Sequence, residues 1–391
     1  MKDRSSFVSD ELFFSVVFFL TAIMKPLTVI VSHSTLLLST AYLVLFIIVI
    51  FRNNGKIRQQ ENNKNLFVLL LVFAIFLFDI VFRGNSMTFS LFNDFFRCGF
   101  IPFLFLLYVK DYNKLLFTWA VIAVFVGLMY CREPLRGYHL TGNYMQFGYG
   151  EMLPAFLGTL ILIFFFKKKC LAILAVFYFI ELCLFANKGA IVTAAVLVLC
   201  VIILSKKHVD IKMYLCISLC FLFVIIFYKN ILEQFYEIAK KLNFNSYSLN
   251  TIAMMLNGKS ESVLNLRFDI WNDVLALMSG HWLDGYGIGY YMSIRQTYPH
   301  NLLLDILIHG GLLCLVPFCI LFAKSMLAIK KISIIDKRNF AVCMLLIWII
   351  PMNMSLTLWQ YAPFWIYFWI VFSSDKHYDT ESEEKKGMAN K

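Results

Sequence analysis

The stretch from Arg267 to Cys314 reads RFDIWNDVLALMSGHWLDGYGIGYYMSIRQTYPHNLLLDILIHGGLLC, and it is the one long segment of the chain that is not simply apolar. An amphipathic segment and a glycine-rich turn lead to Pro299, His300 and Asn301, which open an apolar run. Proline is favoured in the first turn of a helix. The pattern therefore predicts a membrane helix over 300–323 that carries His300 and Asn301 at its mouth.

The composition of the whole chain is that of a membrane protein. Of its 391 residues, 60% are hydrophobic and 15% are charged, whereas soluble domains contain about 45–50% apolar and about 25% charged residues. The sequence therefore predicts an all-α, polytopic integral membrane protein. The net charge of +11 does not indicate nucleic acid as a partner, because basic residues concentrate in short loops between the apolar runs.

The apolar runs predict about twelve transmembrane helices, and the first run is expected to be retained rather than cleaved as a signal peptide. The predicted spans are 9–31, 35–51, 66–83, 92–109, 115–130, 149–166, 170–186, 189–205, 213–228, 300–323, 340–358 and 359–374.

The positive-inside rule predicts that both termini are cytoplasmic. The basic residues that this orientation places inside are Arg52, Lys56, Arg58, Lys64, Lys110, Lys114, Lys167, Lys168, Lys169, Lys206, Lys207, Lys212, Lys324, Lys330, Lys331, Lys337 and Arg338. The chain then forms one transmembrane domain, 1–374, whose residues 229–299 are a large periplasmic loop. The charged segment 375–391 is predicted to be a disordered cytoplasmic tail.

Polar side chains recur along the helix that follows Pro299. Asn301, Asp305 and His309 are four residues apart and therefore share one face. Ionisable groups within a membrane almost always face the bundle interior. Asp305 and His309 are expected to satisfy one another as an i,i+4 pair, and Asp305 could also orient His300 or Asn301. A lone interfacial histidine such as His300 is often only a solvated or capping residue.

The segment from the Arg267 helix through the glycine turn to Tyr298-Pro-His-Asn301 resembles the bacterial family of O-antigen polymerases and O-antigen ligases. His300-Asn301, nine further residues and then Gly311 resemble the pattern after the essential histidine of that family. Cys314 departs from it, because the family more often has Gly, Thr or Tyr there. The resemblance covers 170–330, and the YPHN context with a modest loop resembles the polymerases more than the ligases.

The resemblance implies a glycosyltransferase that uses a polyprenyl-diphosphate-linked glycan. It implies that His300 is the catalytic base and that Arg267 binds the donor diphosphate. Lys188 stands where the family usually has Arg-Gly, so it keeps the charge but loses the guanidinium fork that suits phosphate. Arg97 is a further candidate ligand of the diphosphate, with Asn301 and Asp305 as supporting residues. For the basic residues, a solvated loop charge or an interface anchor remains the alternative.

Other chemical sites are not indicated by the sequence. No paired acids, Asp-x-Asp motif or zinc-ligand spacing occurs, so we expect a metal-independent reaction without a cofactor. Gly285, Gly287 and Gly289 lack the strand–helix context of a nucleotide site and predict a tight turn. Asp79 and Arg83 predict a structural i,i+4 ion pair. The polar and aromatic segment 137–154 suits either a sugar-binding surface or an ordinary interfacial belt.

The expected function is polymerisation of O-antigen, or of a related surface polysaccharide, at the periplasmic face of the bacterial inner membrane. The expected partners are an undecaprenyl-diphosphate-linked oligosaccharide, the lipid bilayer and a chain-length regulator protein. An O-antigen ligase that transfers the chain to lipid A-core is the alternative within the family. A flippase or transporter is the alternative from another class, and the lack of repeated halves with helices broken at corresponding positions argues against it.

Overall fold

The computed structural model describes residues 9–30, 34–55, 63–205 and 260–373, together with a few isolated positions between 233 and 241. Over these residues the chain forms helices joined by turns and loops, without a β-strand. The all-α fold expected from the sequence is therefore confirmed for the described part. The predicted span 213–228 and the predicted tail 375–391 lie outside it, as does 242–259 of the predicted periplasmic loop.

Six of the described helical segments are long and apolar enough to cross a membrane: Asn65–Phe82, Ser86–Leu106, Tyr112–Arg136, Tyr144–Phe164, Lys188–Ser205 and Leu302–Ile329. Shorter apolar helices are found at Leu37–Arg52 and Ala362–Val371. The chain is thus a multi-pass helical membrane protein.

Further helices lie at Asp10–Phe18, Leu20–Ile30, Ala172–Phe185, Ser260–Leu277, Tyr290–Arg295 and Ile335–Met352. The first predicted span, 9–31, is divided at Phe19 into two of these helices. The helix Ser260–Leu277 agrees with the amphipathic segment expected in the loop, and it carries Arg267.

The described residues fall into two compact units. The first takes its residues from 1–21, 31–119 and 274–391, and the second from 22–30 and 120–273. Of the predicted site residues, Arg97, His300, Asn301 and Asp305 belong to the first unit, whereas Lys188 and Arg267 belong to the second.

Aromatic packing forms the core of the first unit around the connection between its last two helices. The ring of Trp359 lies 4.6 Å from that of Phe76, centroid to centroid, and 5.8 Å from that of Trp365. Trp365 also packs edge-on against Phe95 at 4.7 Å. Aromatic pairs of this kind contribute about 0.5–1.5 kcal/mol each beyond the area that they bury. This packing fixes the backbone that carries Trp359.

A charged network lies around Asp10, which is 3% exposed. Its carboxylate accepts a hydrogen bond from Asn53 at 3.1 Å and forms ion pairs with Lys110 at 2.9 Å and Arg52 at 3.6 Å. A buried carboxylate is stable only when it is paired in this way. The sequence predicts Arg52 and Lys110 on the same side of the membrane, and here both contact one carboxylate.

Small residues allow the helices of the second unit to pack closely. A Cβ atom added to Gly158 would lie 2.7 Å from the carbonyl oxygen of Ala120, and one added to Gly127 would lie 2.9 Å from the ring of Tyr178. Helix association within membranes depends on such close backbone approach. The Tyr178 hydroxyl then donates to the Val124 carbonyl at 2.8 Å, which links two of these helices.

Candidate active site

The helix that follows His300 is interrupted near its middle, and we call Leu302–Ile329 the broken helix. Gly310 has φ −143° and ψ 19°, and Gly311 has φ 59° and ψ −157°. The Gly311 conformation is open essentially only to glycine. The sequence pattern predicts one continuous apolar helix here, and that expectation is wrong, because two consecutive glycines allow the backbone to leave the helical path.

The segment 282–287, which we call the docking turn, satisfies the backbone groups that the interruption leaves without helical partners. Four backbone hydrogen bonds join the two segments: Tyr286 N to Ile308 O at 2.8 Å, Gly287 N to His309 O at 2.9 Å, Leu312 N to Trp282 O at 2.8 Å and Leu313 N to Leu283 O at 3.1 Å. Unpaired backbone groups at membrane depth cost several kcal/mol each. The docking turn and the broken helix therefore stabilise each other.

Glycine is required where the docking turn meets the broken helix. Gly285 has a φ of +62°, and a Cβ atom at this position would lie 2.6 Å from the backbone nitrogen of Gly311. The tight turn predicted from Gly285, Gly287 and Gly289 is confirmed, since all three have positive φ.

The Arg83 side chain binds both the docking turn and the broken helix. Its guanidinium forms an ion pair with Asp79 at 3.4 Å and donates to the carbonyls of Asp284 at 3.1 Å and His309 at 3.3 Å. Asp79 also accepts a hydrogen bond from the backbone nitrogen of Ile288. The predicted pair of Asp79 and Arg83 is confirmed, and its contacts make it a structural clamp.

His300 lies outside the helix that it was expected to open. The helix begins at Leu302, and Asn301 is its N-cap, with a side chain that accepts hydrogen bonds from Leu303 N and Leu304 N at 3.0 and 3.1 Å. His300 precedes the cap and has a φ of +56°. Left-handed backbone at a residue other than glycine costs about 1–3 kcal/mol and concentrates at functional sites. The difference arises because an Asn side chain caps this helix better than Pro299 can begin it.

Two neighbouring side chains, those of Tyr298 and Thr297, contact the His300 imidazole. The Tyr298 ring packs against it with 4.4 Å between centroids, and the Tyr298 hydroxyl donates to the carbonyl of Ser355. The Thr297 hydroxyl lies 3.5 Å from Nε2 of His300. An imidazole can accept a proton from a bound hydroxyl when its ring is held in one orientation. The surroundings of His300 are of that kind.

Asp305 and His309 interact, but each has a closer partner on another segment. Nε2 of His309 lies 3.6 Å from Asp305, whereas the Thr357 hydroxyl donates to the carboxylate at 2.7 Å. The Trp359 indole N–H lies 3.3 Å from Nδ1 of His309. An indole nitrogen only donates, so Nδ1 accepts, and Nε2 carries the proton of the neutral ring. The Asp305 side chain contacts Thr357, His309 and the backbone of Leu358, while its backbone nitrogen donates to the Asn301 carbonyl at 2.8 Å.

The connection 353–361 contacts Tyr298, Asp305 and His309, and the sequence did not lead us to predict it. Its Ser355 holds Tyr298, its Thr357 holds Asp305 and its Trp359 holds His309. The signal that could have found it is the polar run NMSLTLWQ at 353–360, which interrupts two apolar segments. The side chains of Thr357, Trp359 and Gln360 each reach a polar side chain of another segment.

Arg97 lies on a wider, π-type turn, Phe96–Phe100, within the predicted fourth span. Its guanidinium forms an ion pair with Asp94, and the Gln360 side chain donates to the same carboxylate at 2.8 Å. The side chain of Arg97 is 39% exposed. A diphosphate at Arg97 would therefore compete with Asp94 for the guanidinium, and its role as a ligand stays a prediction.

In the second unit, Lys188 and Arg267 lie close enough for their positive charges to repel each other. Lys188 is the first residue of the helix Lys188–Ser205, and the Asn187 side chain accepts a hydrogen bond from Ala190 N at 2.9 Å. Two neighbouring cations at the positive end of a helix dipole attract an anion. This arrangement suits the predicted diphosphate ligands, although their role stays a prediction.

Within the described residues, no group of three His, Cys, Asp or Glu side chains is placed to hold a metal ion. Comparison with curated proteins and with solved structures finds no match. Residues 170–319 match a family model described as O-antigen ligase. The matched segment includes Lys188, Arg267, His300, Asn301 and Asp305. The family resemblance seen in the sequence is thereby confirmed over residues 170–319, which are similar to the O-antigen ligase family.

Proposed function

We propose that this protein is an O-antigen polymerase, which joins lipid-linked repeat units on the periplasmic face of the bacterial inner membrane. The observation that carries the proposal is the left-handed backbone of His300, held beside a helix cap within the segment that matches the O-antigen ligase family. In this proposal both termini are cytoplasmic, twelve helices cross the membrane, and residues 229–299 lie in the periplasm.

The proposed reaction is attack by a sugar hydroxyl of one lipid-linked unit on the anomeric carbon of another. The new carbon–oxygen bond forms as the bond from that carbon to the diphosphate breaks, and the lipid diphosphate leaves with the bonding electrons. Neutral His300 accepts the proton of the hydroxyl. The diphosphate linkage supplies the energy, so no nucleotide sugar is needed.

Negative charge that develops on the leaving diphosphate requires cationic partners. We assign this task to Arg267 and Lys188, and to Arg97 as a further ligand. A guanidinium binds phosphate oxygens in pairs and stays charged. The acceptor hydroxyl is oriented at His300, with Asn301 and Asp305 fixing the backbone around it.

An O-antigen ligase is the second candidate, because the matching family model is described by that activity. A ligase would use the same donor and the same histidine chemistry, but the acceptor would be lipid A-core.

Deletion of the gene, followed by electrophoresis of lipopolysaccharide, separates the candidates. We expect single repeats on the core and a long ladder again when the wild-type gene is restored. A bare core with long chains left on the carrier lipid would show that the ligase is the correct candidate. A bare core with single lipid-linked units retained on the cytoplasmic side would point to a flippase. An unchanged ladder would refute all three.

A further inference from the structure

A second polar cluster lies in the second unit and consists of Lys25, Thr141, Gln146 and Glu151. Glu151 is 2% exposed and Thr141 is 4% exposed. Glu151 lies on a π-type turn, Phe147–Met152, at the start of a helix that could span the membrane. Turns of this type occur frequently at functional sites, and a buried ionisable group in a membrane segment marks a functional site by default.

Two buried oxygen atoms of this cluster have no hydrogen-bond partner in the described part of the chain, namely Oε2 of Glu151 and Oγ1 of Thr141. Lys25 links the two residues, because its ammonium donates to the Thr141 carbonyl at 3.4 Å and its charge acts on Glu151. Buried polar atoms are almost always paired. Two such atoms within one short segment therefore point to a ligand that completes the hydrogen bonds.

The helix that carries Lys25 is anchored within the same unit. The Tyr130 hydroxyl donates to the carbonyl of Ala22, one turn before Lys25, at 2.6 Å. This hydrogen bond fixes the backbone of the helix turn that carries Lys25.

Gln146 covers the cluster on its other side. It is exposed, and its side-chain amide lies 3.4 Å from Oε1 of Glu151. The absence of a side chain at Gly150 makes room for Gln146 in this position, since a Cβ atom there would collide with its amide. Rotation of this one exposed side chain uncovers the carboxylate.

The two atoms without partners favour a ligand that donates hydrogen bonds. A carboxyl oxygen and a hydroxyl oxygen both accept hydrogen bonds. Groups with O–H or N–H donors, such as sugar hydroxyls and amides, therefore match Oε2 of Glu151 and Oγ1 of Thr141. The nearby carboxylate of Glu133 is already bonded to the backbone nitrogen of Leu140 at 2.6 Å.

We propose that Lys25, Thr141, Gln146 and Glu151 form a binding site for a sugar residue of the substrate, with Gln146 displaced on binding. This inference rests on the proposed function, since it supplies the sugar recognition that transfer requires. It also decides between the two interpretations of segment 137–154, in favour of a sugar-binding surface.

The experiment compares Thr141→Val and Glu151→Gln with Thr159→Val, using purified protein and the lipid-linked repeat unit from the host cell. Thr159 is a matched control, because its hydroxyl is buried and already donates to the Ala155 carbonyl at 2.7 Å. Thr141→Val should leave the unfolding temperature unchanged or raise it, while increasing KM by about 2–12-fold at similar kcat. Glu151→Gln should also raise KM, whereas Thr159→Val should not.

Binding is measured separately as the rise in unfolding temperature that the free repeat-unit oligosaccharide causes. The wild-type protein should show the rise, and Thr141→Val should need a higher oligosaccharide concentration for the same rise. Unchanged KM and unchanged binding in both variants would overturn the proposal. A lower unfolding temperature of Thr141→Val without an effect on KM would mean that the hydroxyl serves only the fold. Oligosaccharide binding by a wild-type protein that forms no polymer would refute the proposed reaction and leave the sugar site standing.

Discussion

The Tyr298 hydroxyl donates a hydrogen bond to the backbone carbonyl of Ser355, which lies on the connection 353–361 near the end of the chain. The same tyrosine ring packs against the His300 imidazole with 4.4 Å between centroids. One side chain thus connects the histidine to a residue that lies 57 positions from Tyr298 in the sequence. His300 keeps its left-handed backbone because contacts of this kind hold it.

Removal of the Tyr298 hydroxyl should slow the reaction. Tyr298→Phe keeps the ring on His300 but loses the bond to Ser355, and a neutral hydrogen bond contributes about 0.5–1.5 kcal/mol. We expect kcat to fall by about 2–12-fold, measured as chain extension with the lipid-linked repeat unit. Tyr361→Phe is the control, because its hydroxyl donates to Ile347 at 2.9 Å. Equal kcat values for the two variants would show that the bond to Ser355 does not position the histidine.

Loss of the imidazole at residue 300 should have a much larger effect. His300→Ala should insert at normal abundance but lose chain extension, because a general base typically contributes about 10²–10⁴-fold in rate. Electrophoresis of lipopolysaccharide from a deletion strain that carries the variant measures this as collapse of the ladder to single repeats.

His309→Ala is the matched comparison. His309 is buried and bonded to Trp359, so its loss should lower abundance or thermal stability more than turnover. Long chains in the His300→Ala strain would refute the proposed base. Loss of activity in His309→Ala, together with full activity in His300→Ala, would assign the role of general base to His309.

The two cations of the second unit, Arg267 and Lys188, give a prediction about how the diphosphate is bound. Arg267→Ala should reduce kcat/KM by about 10–150-fold, as expected for a hydrogen bond to a charged group, and Arg267→Lys should lose less. Lys188→Arg should be tolerated, since a guanidinium restores the fork at that position. Steady-state kinetics over a range of lipid-linked donor concentrations measures the effect. Wild-type kinetics in Arg267→Ala would remove this residue from the site.

The interruption of the broken helix can be tested with two glycines of equal φ. Gly84 and Gly311 both have a φ of +59°, but a Cβ atom at Gly84 meets nothing within 4 Å, whereas one at Gly311 collides with Leu283. Gly84→Ala should therefore cost only the conformational strain, about 1–2 kcal/mol. Gly311→Ala should lower the unfolding temperature further and reduce activity, because its ψ of −157° places it in a region closed to alanine and its Cβ displaces the docking turn. Identical unfolding temperatures would mean that the docking turn contributes nothing to stability.

The proposed orientation can be measured with cysteines at exposed positions in a background without accessible native thiols. His281→Cys should react with an impermeant thiol reagent in intact cells with a permeabilised outer membrane, because 229–299 is proposed to be periplasmic. Asn113→Cys, in the first turn of a membrane helix at the end proposed to be cytoplasmic, should react only after the inner membrane is broken. The reverse pattern would invert the whole topology.

The sequence was sufficient for the elements that depend on local pattern. Apolar runs predict the helices, and the 79–83 spacing predicts the pair of Asp79 and Arg83. Gly285, Gly287 and Gly289 predict the tight turn. What the sequence could not predict depends on contacts between distant segments. The break at Gly311 is stable only because the docking turn pairs with it, and the contacts of Asp305 are fixed by Thr357, which is 52 residues away. Likewise, Oε2 of Glu151 could be seen to lack a partner only once the helices around it were in place.

The position of the connection 353–361 determines when the surroundings of His300 can form during synthesis. Ser355, Thr357 and Trp359 emerge from the ribosome after the histidine helix has left it. Until they are inserted, Tyr298 and Asp305 lack the partners that hold them. A nascent chain that ends before residue 353 would therefore hold every residue of the matched family segment and still have a loosely held histidine. Activity would appear late in biogenesis, once the last helices have joined the bundle.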